Sequence, residues 1–568
     1  MRRSALAMAT ILLALGVPPV ARAEVPPCSG NNGTPDQVVT GTFDKSLQGS
    51  YVVVPFDVPA GSTSVRVKIC YGTPELPLAV PGVPYSVKHT LDLGIYQTRG
   101  ADGFYDEDEF RGWGGSSRPN VLITPEESTT VGFKPGPIPA GEWAAEIGVA
   151  AIAGLVEGDT NSAVDWRLEI FTGDDPADAD DPWEPAPYDD AVRNPNPGWY
   201  KGDVHVHARH SNPNDAPMSN VFAYAFDDAG LDFITLSDYV TDRHWDEIGR
   251  LQPEHPGKLI VRSAEVITYR GHINNHASLR YVDYRTGPIY ERIDDNGTLE
   301  LVRAAQPASR VFDDIHAPLG PDGTSRGWTQ VNHPTIFPGQ VPTFANFCRG
   351  CSWSYSDAET DWSKVDAFEV QTGPAGLPQP EGNELGPNPF TVLALAWYDH
   401  LRTMGFDITA VGASDSHKAG APSSLSDPGS ILRAPIGEAT TVVFAPELSE
   451  RGIRDGIRAG HAYVKFFSPS GPDLRFDATP SSGGPAAMMG DKLAAAKARF
   501  TARVFNAATS IQPRVLLVLR NGLIYQAFPV LRDDQTFTFT ASLPGDYRLQ
   551  LMRGSGFEAM TNPITLTP

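Results

Sequence analysis

Between residues 200 and 412 the chain alternates short apolar segments with amphipathic ones. The spacing of apolar residues predicts a strand at 200–207, a helix at 218–229 that ends at Gly230, and a strand at 231–236. Strand, helix and strand in succession are typical of βα units around a parallel sheet. This region is therefore predicted to be an α/β domain. Further strands are predicted at 259–265, 330–332, 366–371 and 406–411, and further helices at 389–404 and 448–459.

The two flanks of this region lack a helical period and contain short alternating segments. Residues 65–69 and 91–93 alternate apolar and polar side chains between Pro/Gly turns, which indicates half-buried strands. Beyond residue 470, residues 516–519 lead into Asn521-Gly522, a strong hairpin turn, and residues 536–540 alternate again. Each flank is therefore predicted to be a β-sandwich.

A polar segment separates the first flank from the α/β region. Residues 173–199 consist mainly of Asp, Pro, Ala and Asn, a composition too polar and too proline-rich to pack, so they are predicted to be a linker. A chain of 568 residues also exceeds what one core usually organises. We predict an N-terminal β-sandwich at 24–172, an acidic Pro-rich linker at 173–199, the α/β domain at 200–469 and a C-terminal β-sandwich at 470–568.

The first residues have the pattern of a cleavable secretory signal. Arg2 and Arg3 precede an apolar run at 5–20, and the small-residue sequence Ala21-Arg22-Ala23 follows it. We therefore predict a signal peptide at 1–23 and an exported protein, periplasmic or extracellular. No later segment approaches the roughly 20 apolar residues of a spanning helix, so no membrane span is expected.

The four cysteines suit an oxidising compartment. Among three possible pairings, Cys28–Cys70 with Cys348–Cys351 is the simplest. A zinc knuckle at Cys348-Arg-Gly-Cys351 would need a second pair of ligands nearby, which the sequence does not offer. Disulfides are therefore favoured over metal ligation for these residues.

Charge narrows the range of partners. The chain has 68 acidic and 45 basic residues, a net charge of −23 at pH 7. Such a surface repels phosphate backbones, because sequence-independent binding of nucleic acid depends on Lys and Arg neutralising phosphates. We therefore expect a small-molecule substrate and no nucleic acid.

The first candidate ligands are the alternate histidines of Asp203-Val-His205-Val-His207. Alternate side chains of a strand share a face, so both imidazoles can bind one metal ion. By itself this pair is more often two exposed histidines. Asp203 is predicted to orient His205 or to cap the strand.

The later predicted strands strengthen the metal interpretation, because each is followed by possible ligands. In a parallel βα barrel the carboxyl ends of the strands meet at one mouth, so ligands distant in sequence can surround one cavity. Imidazole and carboxylate ligands suit Zn, Mn or Fe. The segments are Asp238-Tyr239, Glu265 with Gly271-His272-Ile-Asn274, Asn332-His333-Pro334 and Ser414-Asp415-Ser416-His417.

This ordered set resembles the PHP (polymerase and histidinol phosphatase) superfamily, and more closely its exported branch typified by carbaryl hydrolase. Phe110-Arg-Gly-Trp-Gly-Gly-Ser116, Lys134-Pro-Gly-Pro137 and Thr561-Asn-Pro-Ile564 in the flanks are similar to that branch as well. The resemblance implies a distorted (βα)7 barrel between the two β-sandwiches. It also implies a metal-dependent hydrolase with two to three divalent ions, Zn, Mn or Fe.

The resemblance assigns ligand roles residue by residue. His210 competes with Asp215, His276 competes with His272, and Tyr239 stands where the family usually has His. The residues expected to be catalytic are Glu265, Asp415 and His333. One ion would be held by His205, His207, Glu265 and Asp415, a second by Glu265, His272 and His333, and a third by Asp215, Tyr239 and His417.

The function implied is attack by a metal-bridging hydroxide on an ester-type substrate, with phosphoesters favoured and carbamates or carboxyl esters as the alternative. An amidohydrolase is a weaker enzyme alternative because it would carry a carbamylated Lys where Glu265 stands. A calcineurin-like phosphatase would need Gly-Asp-x-x-Asp, and a serine hydrolase Gly-x-Ser-x-Gly, and the sequence has neither. A non-catalytic, metal-stabilised extracellular binding protein is the alternative from another class.

Overall fold

The structure is a computed structural model. It describes Val25 and residues 27–30, 33–72, 76–77, 86–153, 162–173, 183–318, 327–337, 349–376, 387–423, 433–507 and 512–568. The predicted signal peptide at 1–23 and Cys348 lie outside these residues.

The described residues form strands throughout and helices in the centre of the chain. The N-terminal strands are β1 (Gln37–Asp44), β2 (Tyr51–Val58), β3 (Ser64–Tyr71), β4 (Leu76–Pro77), β5 (Ser86–Val87), β6 (Thr90–Tyr96), β7 (Phe110–Gly115), β8 (Asn120–Ile123), β9 (Gly141–Ala151) and β10 (Ala163–Gly173). The central strands are β11 (Gly198–Val206), β12 (Phe233–Leu236), β13 (Leu259–Thr268), β14 (Gly271–His276), β15 (Ile289–Arg292), β16 (Leu299–Arg303), β17 (Trp328–Val331), β18 (Ala367–Gln371), β19 (Thr409–Gly412), β20 (Thr440–Ala445) and β21 (Ala462–Lys465). The central helices are α1 (Met218–Ala223), α2 (Trp245–Leu251), α3 (Ala308–His316), α4 (Asp357–Thr360), α5 (Pro389–Thr403) and α6 (Glu450–Arg458). The C-terminal strands are β22 (Asp473–Pro480), β23 (Ala487–Met488), β24 (Lys492–Ala494), β25 (Ala498–Phe505), β26 (Arg514–Arg520), β27 (Leu523–Val530), β28 (Gln535–Ala541), β29 (Gly545–Arg553), β30 (Gly556–Thr561) and β31 (Ile564–Thr567).

The N-terminal strands form two sheets around one apolar core. Their orders are β1-β10-β3-β8 and β16-β15-β2-β9-β6-β7, so the second sheet includes two strands from the central part of the chain. Val52 and Val54 of β2 face the core between the sheets, whereas Tyr51 and Val53 face the central region. The nearly continuous apolar sequence of β2 follows from this burial on both faces.

The central strands belong to a sheet of 15 strands in which β19-β18-β17-β14-β13-β12-β11-β20-β21 are consecutive neighbours. The pairs β11/β12, β12/β13, β17/β18 and β18/β19 are parallel, while β14 is antiparallel to both β13 and β17. Six of these strands therefore point the same way, and their carboxyl ends lie at one edge. All four side chains of β12 are buried, as expected for a sheet covered on both faces.

This arrangement is mixed α/β, built mostly from sheets, and it does not confirm the predicted closed (βα)7 barrel. Helices do not follow every strand, since β13 turns directly into the antiparallel β14. In the part of the chain that the structure describes, β11 forms no ladder with β19. One isolated bridge joins Val206 of β11 to Ser416, which lies in the loop after β19.

The C-terminal strands continue the central sheet and add a second one. The order of neighbouring strands continues as β21-β30-β29-β26-β27. The second sheet, β23-β22-β25-β28, packs on the first around an apolar core that includes Phe500, Phe539 and Tyr547. The sheets on the two sides of the predicted boundary at residue 470 are therefore continuous.

The predicted linker is irregular in its described part, yet it packs on the central region. Residues 183–197 contain no helix or extended strand. The Tyr188 hydroxyl donates to the Ile260 carbonyl at 2.5 Å, and the Arg262 guanidinium lies 3.9 Å from the centre of the Tyr188 ring. The polar composition predicted the lack of regular structure but not these contacts.

Cys28 and Cys70 form the predicted disulfide, with 5.5 Å between their Cα atoms. Cys351 is disulfide-bonded as well. Among the described helices, none has both the length and the apolar character needed to cross a membrane.

Candidate metal centre

The predicted ligands lie at the carboxyl edge of the central sheet. His272 joins them although β14 is antiparallel, because it lies at the start of that strand. His205 lies in β11 and His207 directly after it, Glu265 lies in β13, His333 lies two residues after β17, and Asp415 and His417 lie in the loop after β19.

Glu265 is at the centre of this group. Its Oε1 atom is 3.2 Å from His272 Nδ1, 3.2 Å from His333 Nε2 and 3.5 Å from His205 Nε2. Its Oε2 atom is 3.5 Å from His207 Nε2. One carboxylate therefore faces four imidazoles, and its two oxygens face different sets of them.

Asp415 is the second carboxylate of this group. Its Oδ1 atom is 3.0 Å from His207 Nε2, 3.5 Å from His205 Nε2 and 3.6 Å from His417 Nε2. The Nε2 atoms of His205 and His207 are 3.0 Å apart. Two ligand atoms at roughly 2.0–2.2 Å from one ion, with tetrahedral angles, lie about 3.3–3.6 Å apart. Four of the eight separations given for Glu265, Asp415 and the His205–His207 pair fall in this range, and the other four are 3.0–3.2 Å.

Four of these histidines also bond an oxygen outside the group with their other ring nitrogen. Carbonyl and carboxylate oxygens only accept, and Ser211 donates its own hydroxyl proton to Asp238 at 2.6 Å, so the ring nitrogen is the donor in each pair. In the neutral imidazole, which is the form that binds metal, the inward nitrogen then carries a lone pair. The outward contacts are His207 Nδ1 to Ser211 Oγ at 2.9 Å, His333 Nδ1 to the Cys351 carbonyl at 2.9 Å, His417 Nδ1 to Asp215 Oδ2 at 2.7 Å and His272 Nε2 to the Arg349 carbonyl at 3.1 Å.

Within the described residues, four groups of three side chains have possible ligand atoms within 4.8 Å of one another. Cys351 belongs to one of them, but it is disulfide-bonded, so its sulfur is not a thiolate. The buried His, Glu and Asp side chains could therefore hold metal ions. The groups are His205–His207–Glu265, His205–His333–Asp415, His207–Asp415–His417 and His272–His333–Cys351.

The electrostatics of the group favour positive charge between its members. Burial alone would raise the pKa of Glu265, but His205 and His272 hold that pKa well below its usual range. Burial lowers the pKa of His333, yet the contact with Glu265 raises it to about 9. The carboxylates are therefore ionised, and cations are stabilised beside them.

Asp215 and Tyr239 lie one contact further out than the other predicted ligands. Asp215 bonds His417 Nδ1 as described above, and Tyr239 Oη is 3.2 Å from His417 Nε2. Among the residues that the structure describes, Asp215 belongs to none of the three-residue groups of His, Cys, Asp and Glu. Asp215 thus has the position of a carboxylate that orients a histidine. Burial, with Glu265 adding to it, raises the pKa of Tyr239 well above its usual value, which keeps the phenol neutral.

The two competing histidines face away from the group. His210 Nε2 is 3.3 Å from Glu247 Oε2, and its Nδ1 is 3.7 Å from Asp238 Oδ2. His276 stacks on Trp328, with 3.7 Å between ring centres. The structure therefore places Asp215 nearer to the group than His210, and His272 nearer than His276.

Glu369, which the sequence analysis did not single out, is buried beside the group. Its Oε2 atom accepts the backbone N–H of His333 at 2.7 Å and lies 3.5 Å from His205 Nδ1. Its Oε1 atom has no hydrogen-bond partner among the described residues. The available signal was the single charged residue in the buried strand β18, Ala-Phe-Glu-Val-Gln.

Backbone conformation and buried acceptors fix the loops that hold the ligands. His333 and Asp415 have φ values of +28° and +53°, a left-handed conformation that costs a non-glycine residue about 1–3 kcal/mol. Asp203 Oδ1 accepts the backbone N–H groups of His205 at 3.2 Å and Ser414 at 3.1 Å. Asp203 therefore joins the end of β11 to the loop that contains Asp415, a positioning role.

The N-terminal sheets also support the group. Arg118, which follows β7, donates to the Ser211 carbonyl at 2.7 Å and to the Arg209 carbonyl. The Ser211 hydroxyl in turn accepts from His207 Nδ1 and from the backbone N–H of Tyr239. A residue of the N-terminal flank thus fixes the loop that orients His207.

Comparison with known proteins found no matching family model and no matching curated protein. Among solved structures, a two-domain protein from Bacteroides vulgatus, described as containing a predicted PHP-like metal-dependent phosphoesterase, is 16% identical over 67% of this chain and 100% of its own, with a TM-score of 0.31. An engineered protein is 12% identical over 64% of this chain and 93% of its own, with a TM-score of 0.18. Likenesses of this strength assign neither a fold nor an activity.

Proposed function

We propose that the protein is a metal-dependent hydrolase of ester-type substrates, with phosphoesters favoured, and that it is an exported member of the PHP superfamily. The observation that carries this proposal is the set of four histidines that each donate one N–H outward and direct the other ring nitrogen inward. Inward lone pairs face the carboxylate oxygens of Glu265 and Asp415 at 3.0–3.6 Å. When the imidazoles are neutral, these facing acceptors repel one another unless a cation, either a proton or a metal ion, lies between them.

The donor set fits divalent ions of the Zn, Mn or Fe type. His205, His207, Glu265 and Asp415 would hold one ion, and Glu265, His272 and His333 a second, because the two oxygens of Glu265 face different histidines. His272 Nδ1, which faces Glu265 Oε1, is buried without a hydrogen-bond partner among the described residues. Such ions supply a Lewis acid and lower the pKa of a bound water.

The chain itself positions these donors and controls access to them. Asn332 donates to Glu265 Oε1 at 2.9 Å, which fixes the carboxylate that the histidines share. The side chains of Asp415 and His417 are 27% and 26% exposed, whereas that of Glu265 is 2% exposed. Substrate therefore approaches from the side of Asp415 and His417, and water is excluded from the side of Glu265.

A panel of chromogenic esters tests this proposal. Mature protein would be loaded separately with Mn, Zn and Fe and assayed with a phosphomonoester, a phosphodiester, a carboxyl ester and a carbamate. We expect metal-dependent hydrolysis, with a phosphoester turned over fastest. Faster turnover of the carbamate or carboxyl ester would instead assign the alternative substrate class. Retention of metal with no hydrolysis of any ester would contradict the proposal and favour a binding protein.

A further inference from the structure

A cavity of about 240 Å³ opens beside the candidate metal centre. Two predicted ligands, Tyr239 and His272, line one side of it, and Asp92 and Trp113 of the N-terminal strands line the other. Its wall also includes Arg349, which follows directly in the chain from residues outside the described set. The cavity therefore lies between the N-terminal sheets and the metal centre, where the non-reacting part of a substrate would be placed.

Arg349 differs from the other arginines around the site because, among the residues that the structure describes, its guanidinium has no protein partner. Its carbonyl accepts from His272 Nε2, so the backbone of Arg349 is tied to the metal centre. In the described part of the chain, no carboxylate lies within ion-pair distance of this guanidinium and no acceptor bonds it. By contrast, Arg270 pairs with Glu359 at 2.6 Å, and Arg118 donates to two carbonyls.

The one carboxylate on the cavity wall is already engaged by other donors. Asp92 accepts the Tyr269 hydroxyl at 2.8 Å and a backbone N–H of Ser116. Asp92 is buried, and burial raises its pKa although the charge of Arg349 opposes that shift. Asp92 therefore balances the charge of Arg349 only from a distance, and the guanidinium keeps its donors for a ligand.

We propose that Arg349 binds an anionic group of the substrate, a phosphate or a carboxylate, that is remote from the bond to be hydrolysed. A guanidinium presents two parallel N–H groups that match the paired oxygens of either anion, and a half-buried site strengthens that contact. The substrate class is then a small ester that carries a second, anionic group. That group would lie in the cavity beside Arg349 while the ester lies at the metal centre. This assignment rests on the proposed function and adds a specificity-determining residue to it.

The direct test measures anion binding rather than turnover. Calorimetric titrations with inorganic phosphate and with succinate would use the full metal-loaded chain, Arg349→Gln, Arg349→Lys and the control Arg499→Gln, which changes an exposed arginine of β25. We expect Arg349→Gln to weaken binding of at least one anion about tenfold, since it removes hydrogen bonds between two charged groups. Arg349→Lys should retain part of the affinity, and Arg499→Gln all of it. The anion that binds more tightly identifies the group.

Anions can also bind at the metal centre, so the titration is repeated on chelator-treated protein. The proposal is overturned if neither anion binds native protein, if Arg349→Gln binds both within twofold of native, or if chelation removes all binding while Arg349→Gln has no effect. Thermal unfolding midpoints equal to native establish that the variants are folded. Anion binding that depends on Arg349 in a protein that hydrolyses no ester would leave this site in place while rejecting the proposed function.

A matched pair of substrates gives a second readout. Mono-4-nitrophenyl succinate carries a terminal carboxylate that 4-nitrophenyl acetate lacks. Arg349→Gln should raise KM for the succinate about tenfold and leave KM for the acetate unchanged. An equal change in both would mean that Arg349 supports the structure of the site rather than the substrate, which contradicts the proposal.

Discussion

At the scale of single residues, Glu265 and Asp415 tie the candidate metal centre together. Each carboxylate lies within 3.6 Å of at least three imidazoles. Loss of one carboxylate or imidazole therefore changes the contacts of several other ligands. None of these side chains is a member of the apolar cores of the described residues. Removing one should therefore affect metal binding far more than folding.

His333→Ala and Asp415→Ala should each lower hydrolysis of the best ester about 100-fold or more while the protein stays folded, because each removes a donor from a shared centre. Turnover and far-ultraviolet circular dichroism would be measured together. The control is His400→Ala, which changes an exposed histidine of α5. Native turnover in either site variant would exclude that residue from the centre.

The third ion, which Tyr239 would help to hold, should be the most weakly bound of the three. Its phenol has a pKa well above the usual value, first because of burial, and a metal must displace that proton before the oxygen can bind. Tyr239→His should raise the retention of a third ion during titration with a weak chelator, and Tyr239→Phe should lower it. Equal retention of all three ions in native protein and in Tyr239→Phe would refute a weak third site that uses this oxygen.

At the scale of elements, the contact between β9 and the segment after β14 should make stability depend on pH. Glu146 of β9 accepts the Tyr284 hydroxyl at 2.5 Å and lies 3.3 Å from Arg285 Nη1. Burial raises its pKa from the ordinary 4.5 to about 7, although Arg285 opposes the shift. Between these values the folded protein binds the proton more tightly than the unfolded chain does. This contribution to stability is therefore lost as pH rises from about 5 to about 7.

Glu146→Gln should remove that dependence, because an amide keeps an acceptor for Tyr284 without a charge to desolvate. Between pH 5 and pH 8, the unfolding temperature of native protein should fall relative to that of the variant. The corresponding loss in the free energy of unfolding has an upper limit of about 3 kcal/mol for this group. Glu300→Gln, at an exposed position of β16, serves as control. Parallel unfolding temperatures of native protein and Glu146→Gln across this range would show that Glu146 is not responsible.

The same elements show how far sequence alone could reach. Strands β11, β12, β13, β17 and β18 were predicted within a few residues, because parallel strands covered on both faces are short apolar runs. The segment Gly-His-Ile-Asn-Asn-His of β14 was not predicted as a strand. Its polar side chains point into a buried site instead of into solvent, so it has no apolar face that alternation could detect.

Residues that act through partners distant in sequence were also beyond prediction. Glu369 becomes significant only through its contact with His333, and Arg118 only through its contacts with the loop at 209–211. Neither residue lies in a local motif. That the predicted ligands would lie close together could be foreseen, because most of them lie near or after the carboxyl end of a parallel strand, and such ends meet whatever the loops between them contain.

At the scale of the whole molecule, the N-terminal sheets form part of the candidate site rather than a separate module. Tyr51 of β2 stacks on Tyr269 with 5.1 Å between ring centres, and Phe110 of β7 lies 4.4 Å from the ring of Tyr281. Both tyrosines flank the strand that carries His272. The N-terminal and C-terminal sheets thus lie on either side of the candidate metal centre.

The metal content of the purified protein shows whether this centre binds ions. Mature protein would be purified without chelator and its transition metals quantified by mass spectrometry, alongside His333→Ala and Asp415→Ala. We predict at least two ions per chain in native protein and fewer in each variant, because the two oxygens of Glu265 face two sets of histidines. Less than one ion per chain in native protein, after incubation with Mn, Zn or Fe and removal of the excess, would contradict it.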